Sequence, residues 1–328
     1  MKRHAFLTVF LAAAACAEGT VDPPVIDATS VVTGIVYLDF DGNEALGGVD
    51  EPVEGVRVRV TLPGSGQELA ADTTDEAGEF LMEEIPVGSV EVGIDPTILG
   101  DTLLAVPLDS TRFTLGAGSA LGVALGVTYP QLTLSEVREG EAGTPVFTQG
   151  VVLNSRGQSP GGAVHVEDDT VALRVLVPPA VQVLVGDSVR IQGRIGTDLG
   201  RPALLEGRML RVVPGARDVQ PRTPTVGEAR TGAGGLDAAL VEFTSGAVAS
   251  FETVSEGYLM RVTDEVDTLD VRLRTEQGFF QGGVPEGAQV LRLLGLLVPD
   301  PTSGDWTLVP RSPTDVRLGP PPAPPAGD

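Results

Sequence analysis

From Val31 onward the chain alternates apolar and polar residues in short runs separated by turn formers. VVTGIVYLDF, GVRVRVTLP, GEFLMEEIPVGSVEVGID and SALGVALGVTYP are runs of this kind, and PGSG, DEAG and PVG interrupt them. In GVRVRVTL the period is two, with Val56, Val58 and Val60 on one face and Arg57 and Arg59 on the other. Successive side chains of a strand point to opposite sides, so this pattern predicts a half-buried strand. Further along, AVHVEDDTVALRVLV, GDSVRIQG and RPALLEGRMLRVV read as strands as well. The fold class they predict is all-β.

Composition agrees with that reading. Only 4% of the 328 residues are aromatic although 42% are hydrophobic, and 42 glycines and 26 prolines supply turns. The length leaves room for two or three domains. A net charge of −23 opposes general polyanion binding, because neutralising phosphates takes clustered Lys and Arg. Lys2 is the only lysine. The single cysteine, Cys16, excludes an intrachain disulfide and any multi-cysteine metal site. With only His4 and His165 in the whole chain, loss of the N-terminus would leave one histidine and no multi-histidine metal site.

The N-terminus, MKRHAFLTVFLAAAACAEG, has a basic start, an apolar run from Ala5 to Leu11 and then small residues. The run is too short to span a bilayer. AAAC resembles the lipobox of bacterial lipoproteins, although Ala13 stands where leucine is usual. The resemblance implies a signal peptide over 1–15, lipidation of Cys16, a tether over 16–30 and a membrane anchor. Ala17 after the cysteine implies the outer membrane. The alternative is a plain secretory signal in which Cys16 is incidental.

Between residues 31 and 128 the motifs follow a fixed order. A G-x-V-x-x-D start leads to an acidic loop, then P-V-E-G-V-x-V-x-V, T-D-E-A-G-x-F and I-P-V-G-x-V-x-V. This order resembles the B-type repeats of bacterial surface adhesins, of the prealbumin-like and Cna-B kind. The resemblance implies a seven-stranded immunoglobulin/prealbumin-like β-sandwich with a structural or adhesive role and no catalysis.

Beyond Tyr129 the chain repeats itself. Thr133-Leu-Ser-Glu136-Val-Arg138 recurs as Thr225-Val-Gly-Glu228-Ala-Arg230, and Phe147-Thr148-Gln-Gly150 as Phe243-Thr244-Ser-Gly246. Val166-Glu-Asp168 recurs as Val262-Thr-Asp264, and Gly186-Asp-Ser-Val189 is answered by Gly287-Ala-Gln-Val290. Two copies of one β domain are expected, over 131–218 and 223–319. The grammar of a copy, above all the G-D-x-V-x-V-x-G element from Gly186 to Gly193, resembles the OB-fold modules found beside secreted bacterial nucleases. It decays to GAQVLRLLG in the second copy. The Pro-rich stretch over 320–328 reads as a disordered tail.

Catalysis finds little support. Nucleophilic mechanisms need a base, and His165 stands opposite Val164 and Val166 in an alternating strand, where an exposed or partly packed histidine is expected. No phosphate-cradling glycine loop is present. Charge separates the three segments. Residues 31–128 carry 17 acids and 3 arginines, 129–222 carry 10 of each, and 223–319 carry 14 acids and 7 arginines. The middle segment is thus the one candidate for an anionic ligand, through Arg190, Arg194, Arg201, Arg208 and Arg211. Single-strand nucleic-acid binders also present stacking aromatics. This segment has only Tyr129 and Phe147, and Phe147 reads as core.

The acidic loop DFDGNEALGGVDE offers hard oxygen donors at Asp39, Asp41, Asn43 and Asp50 or Glu51. Calcium takes several such oxygens from a short loop, and the adhesin resemblance implies calcium at this position. Asp72 and Asp75 would contribute if their turn met the loop. The bland alternative is a solvated turn using Asp and Asn for their turn propensity. The chain as a whole reads as a non-catalytic envelope lipoprotein. It would meet a membrane through its lipid and bind an envelope protein or glycan. The alternatives are an OB-fold protein binding nucleic acid or glycan, or an accessory subunit of a surface enzyme or transporter.

Overall fold

The computed structural model describes residues 28–322, apart from 98, 100–101, 108–110, 233–234, 280–283 and 301–304. Cys16, the leader and residues 323–328 lie outside the described residues. Among the described residues no helix is long and apolar enough to cross a membrane.

The first unit is a sandwich of two sheets. Its strands are β1 (Thr29–Leu38), β2 (Glu51–Pro52), β3 (Arg57–Thr61), β4 (Glu68–Thr73), β5 (Glu79–Pro86), β6 (Gly88–Ile94), β7 (Leu104–Ala105), β8 (Arg112–Leu115) and β9 (Ala120–Thr128). Strand β1 pairs in parallel with β9 on one side and antiparallel with β5 and then β2 on the other. The facing sheet runs β4-β3-β6-β8. Val58 and Val60 are fully buried against Phe80, Met82, Val90, Val92 and Val127, as the period-two pattern requires. On the opposite face Arg57 pairs with Glu68 and Asp95.

The second unit opens with a short helix, α1 (Leu134–Glu139), which the strand-based reading missed. The repeated T-x-x-E is its signal. Thr133 accepts from the Glu136 backbone and Glu136 reaches back to the Thr133 N–H, a capping box that satisfies two donors left free at a helix start. Strands β10 (Pro145–Val152), β11 (Val164–Glu167), β12 (Ala172–Val175), β13 (Ser188–Asp198) and β14 (Arg201–Val213) then close a barrel in the order β10-β11-β12-β14-β13. Strands β12 and β14 run parallel, and the other pairs antiparallel. Val146, Val152, Val164, Val166, Ile191 and Leu204 fill the interior, and Leu134 and Val137 of α1 join them.

The third unit repeats this plan with its long strands split. Helix α2 (Val226–Thr231) carries the second capping box, Thr225 with Glu228. Strands β15 (Leu240–Phe243) and β16 (Ala247–Val254) are one strand broken at residues 244–246. Strands β17 (Gly257–Thr263), β18 (Thr268–Arg274) and β19 (Gln289–Pro299) follow, then β20 (Trp306–Val309) and β21 (Val316–Gly319), both paired with β19. The β18–β20 pairing is parallel, as β12–β14 is. The decayed GAQVLRLLG element forms β19 all the same, although its alternation breaks after Val290, where the register shifts, and Leu293–Pro299 are buried throughout.

Strand β10 holds the three units together. Val146 and Val152 point into their own barrel, Phe147 packs into the sandwich core, and Leu153 beyond its end joins the core of the second barrel. The middle barrel is therefore gripped on two sides.

Candidate functional site

The acidic loop begins where β1 ends. Asp39 is buried, and its carboxylate accepts backbone N–H groups of Gly42, Asn43 and Glu44 at 2.8–3.3 Å. Asp50 closes the far end by accepting from Phe40 and Gly47. Asn43 donates to Asp41 at 2.9 Å, and its own carbonyl oxygen accepts from Ala45. These bonds fold the loop back so that oxygens of Asp39, Asp41 and Asp50 lie within 4.8 Å of one another. Two residues take the left-handed conformation, Gly42 (φ 70°) and Glu44 (φ 61°). Gly42 also lies so close to the Arg190 guanidinium that any side chain would overlap it.

The other predicted donors lie elsewhere. Glu51 turns away from the loop and pairs with Arg208 at 3.0 Å. Asp72 accepts from Thr73 and Leu81, and Asp75 from Ala77 and Glu79, so both serve the turn between β4 and β5. The field of the loop reaches the Tyr37 phenol, which burial, and then the carboxylates of Asp39, Asp50, Asp41 and Glu44, push above its usual range.

The loop rests on the arginine face of the middle barrel. Arg208 of β14 lies over the Phe40 ring at 4.5 Å, and Arg190 of β13 lies over Phe147 at the same distance. Phe40 meets Phe147 edge-on at 6.3 Å, and Tyr129 tilts against Phe147 at 5.7 Å. A cleft of about 430 Å³ opens beside this stack. Asp39, Asp41 and Glu44 of the loop line it together with Arg190, Arg211, Gln149 and Tyr129. Of the five arginines singled out in the sequence, only Arg190 and Arg211 share this cleft. Arg194 pairs with Glu206, and Arg201 lies over Trp306 of the second barrel.

His165 is completely buried, in contrast to the exposed or partly packed position expected for it. It faces out of its own barrel into the junction with the next. Nδ1 meets the Ala238 carbonyl at 3.1 Å and Nε2 meets Ser159 Oγ at 3.2 Å. Arg174 donates to Ser159 and is held by Asp198 at 2.5 Å. Burial, and secondarily the Arg174 charge, lower the His165 pKa from 6.5 to about 3, so the imidazole is neutral. Both members of this Ser–His pair are buried. Its geometry holds two barrels together.

No known family profile matches the chain, and no curated protein matches it in sequence. Solved structures do. The hypothetical protein ygiW from E. coli is 17% identical, with a TM-score of 0.22, over 26% of this chain and 97% of that one. The shaft pilin spaA from Lactobacillus rhamnosus GG is 10% identical, with a TM-score of 0.25, over 59% and 100%. A murine DNA binding protein bound with ds DNA is 14% identical, with a TM-score of 0.30, over 56% and 99%. At these scores the likenesses carry no argument about what this chain binds.

Proposed function

We propose that the chain is a non-catalytic binding or structural module of the bacterial envelope, tethered through lipidated Cys16 and stiffened by calcium in the Asp39–Asp50 loop. The observation that carries the reading is the convergence of the Asp39, Asp41 and Asp50 carboxylates within 4.8 Å. Three carboxylates at that spacing repel one another unless a cation lies among them, and an all-oxygen donor set suits a hard ion such as calcium. A carboxylate offers about four lone-pair sites. The bonds that Asp39, Asp41 and Asp50 accept within the loop leave some of these for a metal, while the Asn43 oxygen is taken by Ala45 and Glu51 pairs with Arg208. Bound there, calcium would offset part of the loop's negative charge and stiffen the seat it makes against the middle barrel.

The experiment is thermal melting of the full chain with and without millimolar calcium, beside Asp41→Asn. A calcium-dependent rise that Asp41→Asn removes supports the site, and no rise in the wild type refutes it. The anchor is tested separately by Cys16→Ser, which should move the chain from the membrane to the soluble fraction. Unchanged partitioning would exclude lipidation.

A further inference from the structure

We propose that Arg190 and Arg211 form an oxyanion subsite in the cleft between the sandwich and the middle barrel, suited to the carboxylate of an acidic saccharide. The two arginines are directly opposite each other on β13 and β14. Like charges facing across a strand pair cost stability, so the pairing calls for an anion between or above them. Among the described residues neither arginine has an ion-pair partner, although the neighbouring Arg208 and Arg194 do. Arg190 Nε is also buried with no hydrogen-bond partner.

The surroundings narrow the ligand. Asp39, Asp41 and Glu44 rim the same cleft. Their charge opposes a polyanion or a phosphate dianion more than a single carboxylate. Guanidinium forks match a carboxylate in paired hydrogen bonds. Gln131, Gln149 and Thr128 offer neutral donors and acceptors for hydroxyls, and Tyr129 with Pro107 offers an apolar surface for a ring face. The volume of about 430 Å³ lies within the range of roughly 300–1,000 Å³ common to small-ligand sites.

The inference deepens the binding-module reading and rests on it, with a further consequence for the loop. Calcium among Asp39, Asp41 and Asp50 would offset most of their negative charge beside the arginines, so calcium and the carboxylate should each tighten the other by the same factor.

The test is calorimetric titration of the full chain with sodium glucuronate, with and without calcium, using glucose and inorganic phosphate as comparators. Glucuronate binding that strengthens at least fivefold with calcium, with glucose silent and phosphate weaker, is the expected result. Arg211→Gln, at an exposed position, should weaken glucuronate at least tenfold without changing the melting temperature. Phosphate binding as tight as glucuronate overturns the saccharide assignment. Glucuronate binding unaffected by Arg211→Gln overturns the subsite. Calcium stabilisation without glucuronate binding sinks the inference and leaves the calcium reading standing, and glucuronate binding without calcium stabilisation does the reverse.

Discussion

The middle barrel has two neighbours and meets them by opposite means. Towards the sandwich it presents Phe147 and Arg208, which pack on Phe40, and Arg190, which lies over Phe147, beside a cleft open to solvent. Towards the second barrel it presents a largely buried polar network. His165 bonds Ala238, Arg138 pairs with the largely buried Asp237 at 2.9 Å, and Arg311 reaches back to the Leu153 carbonyl. Buried polar groups cost stability unless they are paired, and the bonds of this network fix the second junction through directional contacts. The first junction is apolar at its centre and charged at its rim, and that leaves unpaired donors for a ligand. One face of the barrel fixes geometry while the other offers chemistry.

That contrast can be broken at four points. Phe147→Ala removes a fully buried ring shared by Phe40, Tyr129 and Arg190. It should cost about 3–5 kcal/mol in urea unfolding and uncouple the sandwich from the barrel, giving two transitions where the wild type gives one. A loss below about 1 kcal/mol would mean the sandwich junction is not held by this ring.

Asp237→Ala leaves the Arg138 guanidinium, only 18% exposed, without its partner. The expected cost is about 3 kcal/mol, independent of salt because the pair is shielded from solvent. Strong salt dependence would show that the second junction is open after all.

His165 gives that junction a pH signature. Its folded pKa of about 3 lies below the ordinary 6.5, so the unfolded chain takes up the proton first as pH falls. The contribution is therefore complete above pH 6.5 and is lost between about 6.5 and 3, at up to about 1.4 kcal/mol per pH unit. Urea midpoints at pH 7, 6, 5 and 4 should fall more steeply for the wild type than for His165→Gln. Parallel slopes would count against a buried neutral imidazole.

The smallest effect belongs to the rim of the first junction. Glu51 and Arg208 are each about half exposed. Glu51→Gln should cost less than about 1 kcal/mol, and half-molar salt should erase the difference.

Much of this architecture was legible in residues alone. Val58 and Val60 are buried and Arg57 faces out because period two leaves no other choice once one face packs. The recurrence of Thr133 and Glu136 at Thr225 and Glu228 announces two copies of a unit, and in the structure both pairs are capping boxes at the start of short helices. The spacing of Asp39, Asp41 and Asp50 marked the loop that the structure gathers within 4.8 Å. What each outward-facing residue meets was not written locally. Phe147 and His165 both read as ordinary members of alternating strands, because alternation separates two faces without saying what covers the second. Only the packing of three units against one another put Phe40 over Phe147, turned Glu51 from the loop to Arg208 and closed water away from His165. Local periodicity sets the direction of a side chain. Its partner, and with it its pKa and chemistry, comes from surfaces brought together across more than a hundred residues of chain, as for Glu51 and Arg208 at a separation of 157.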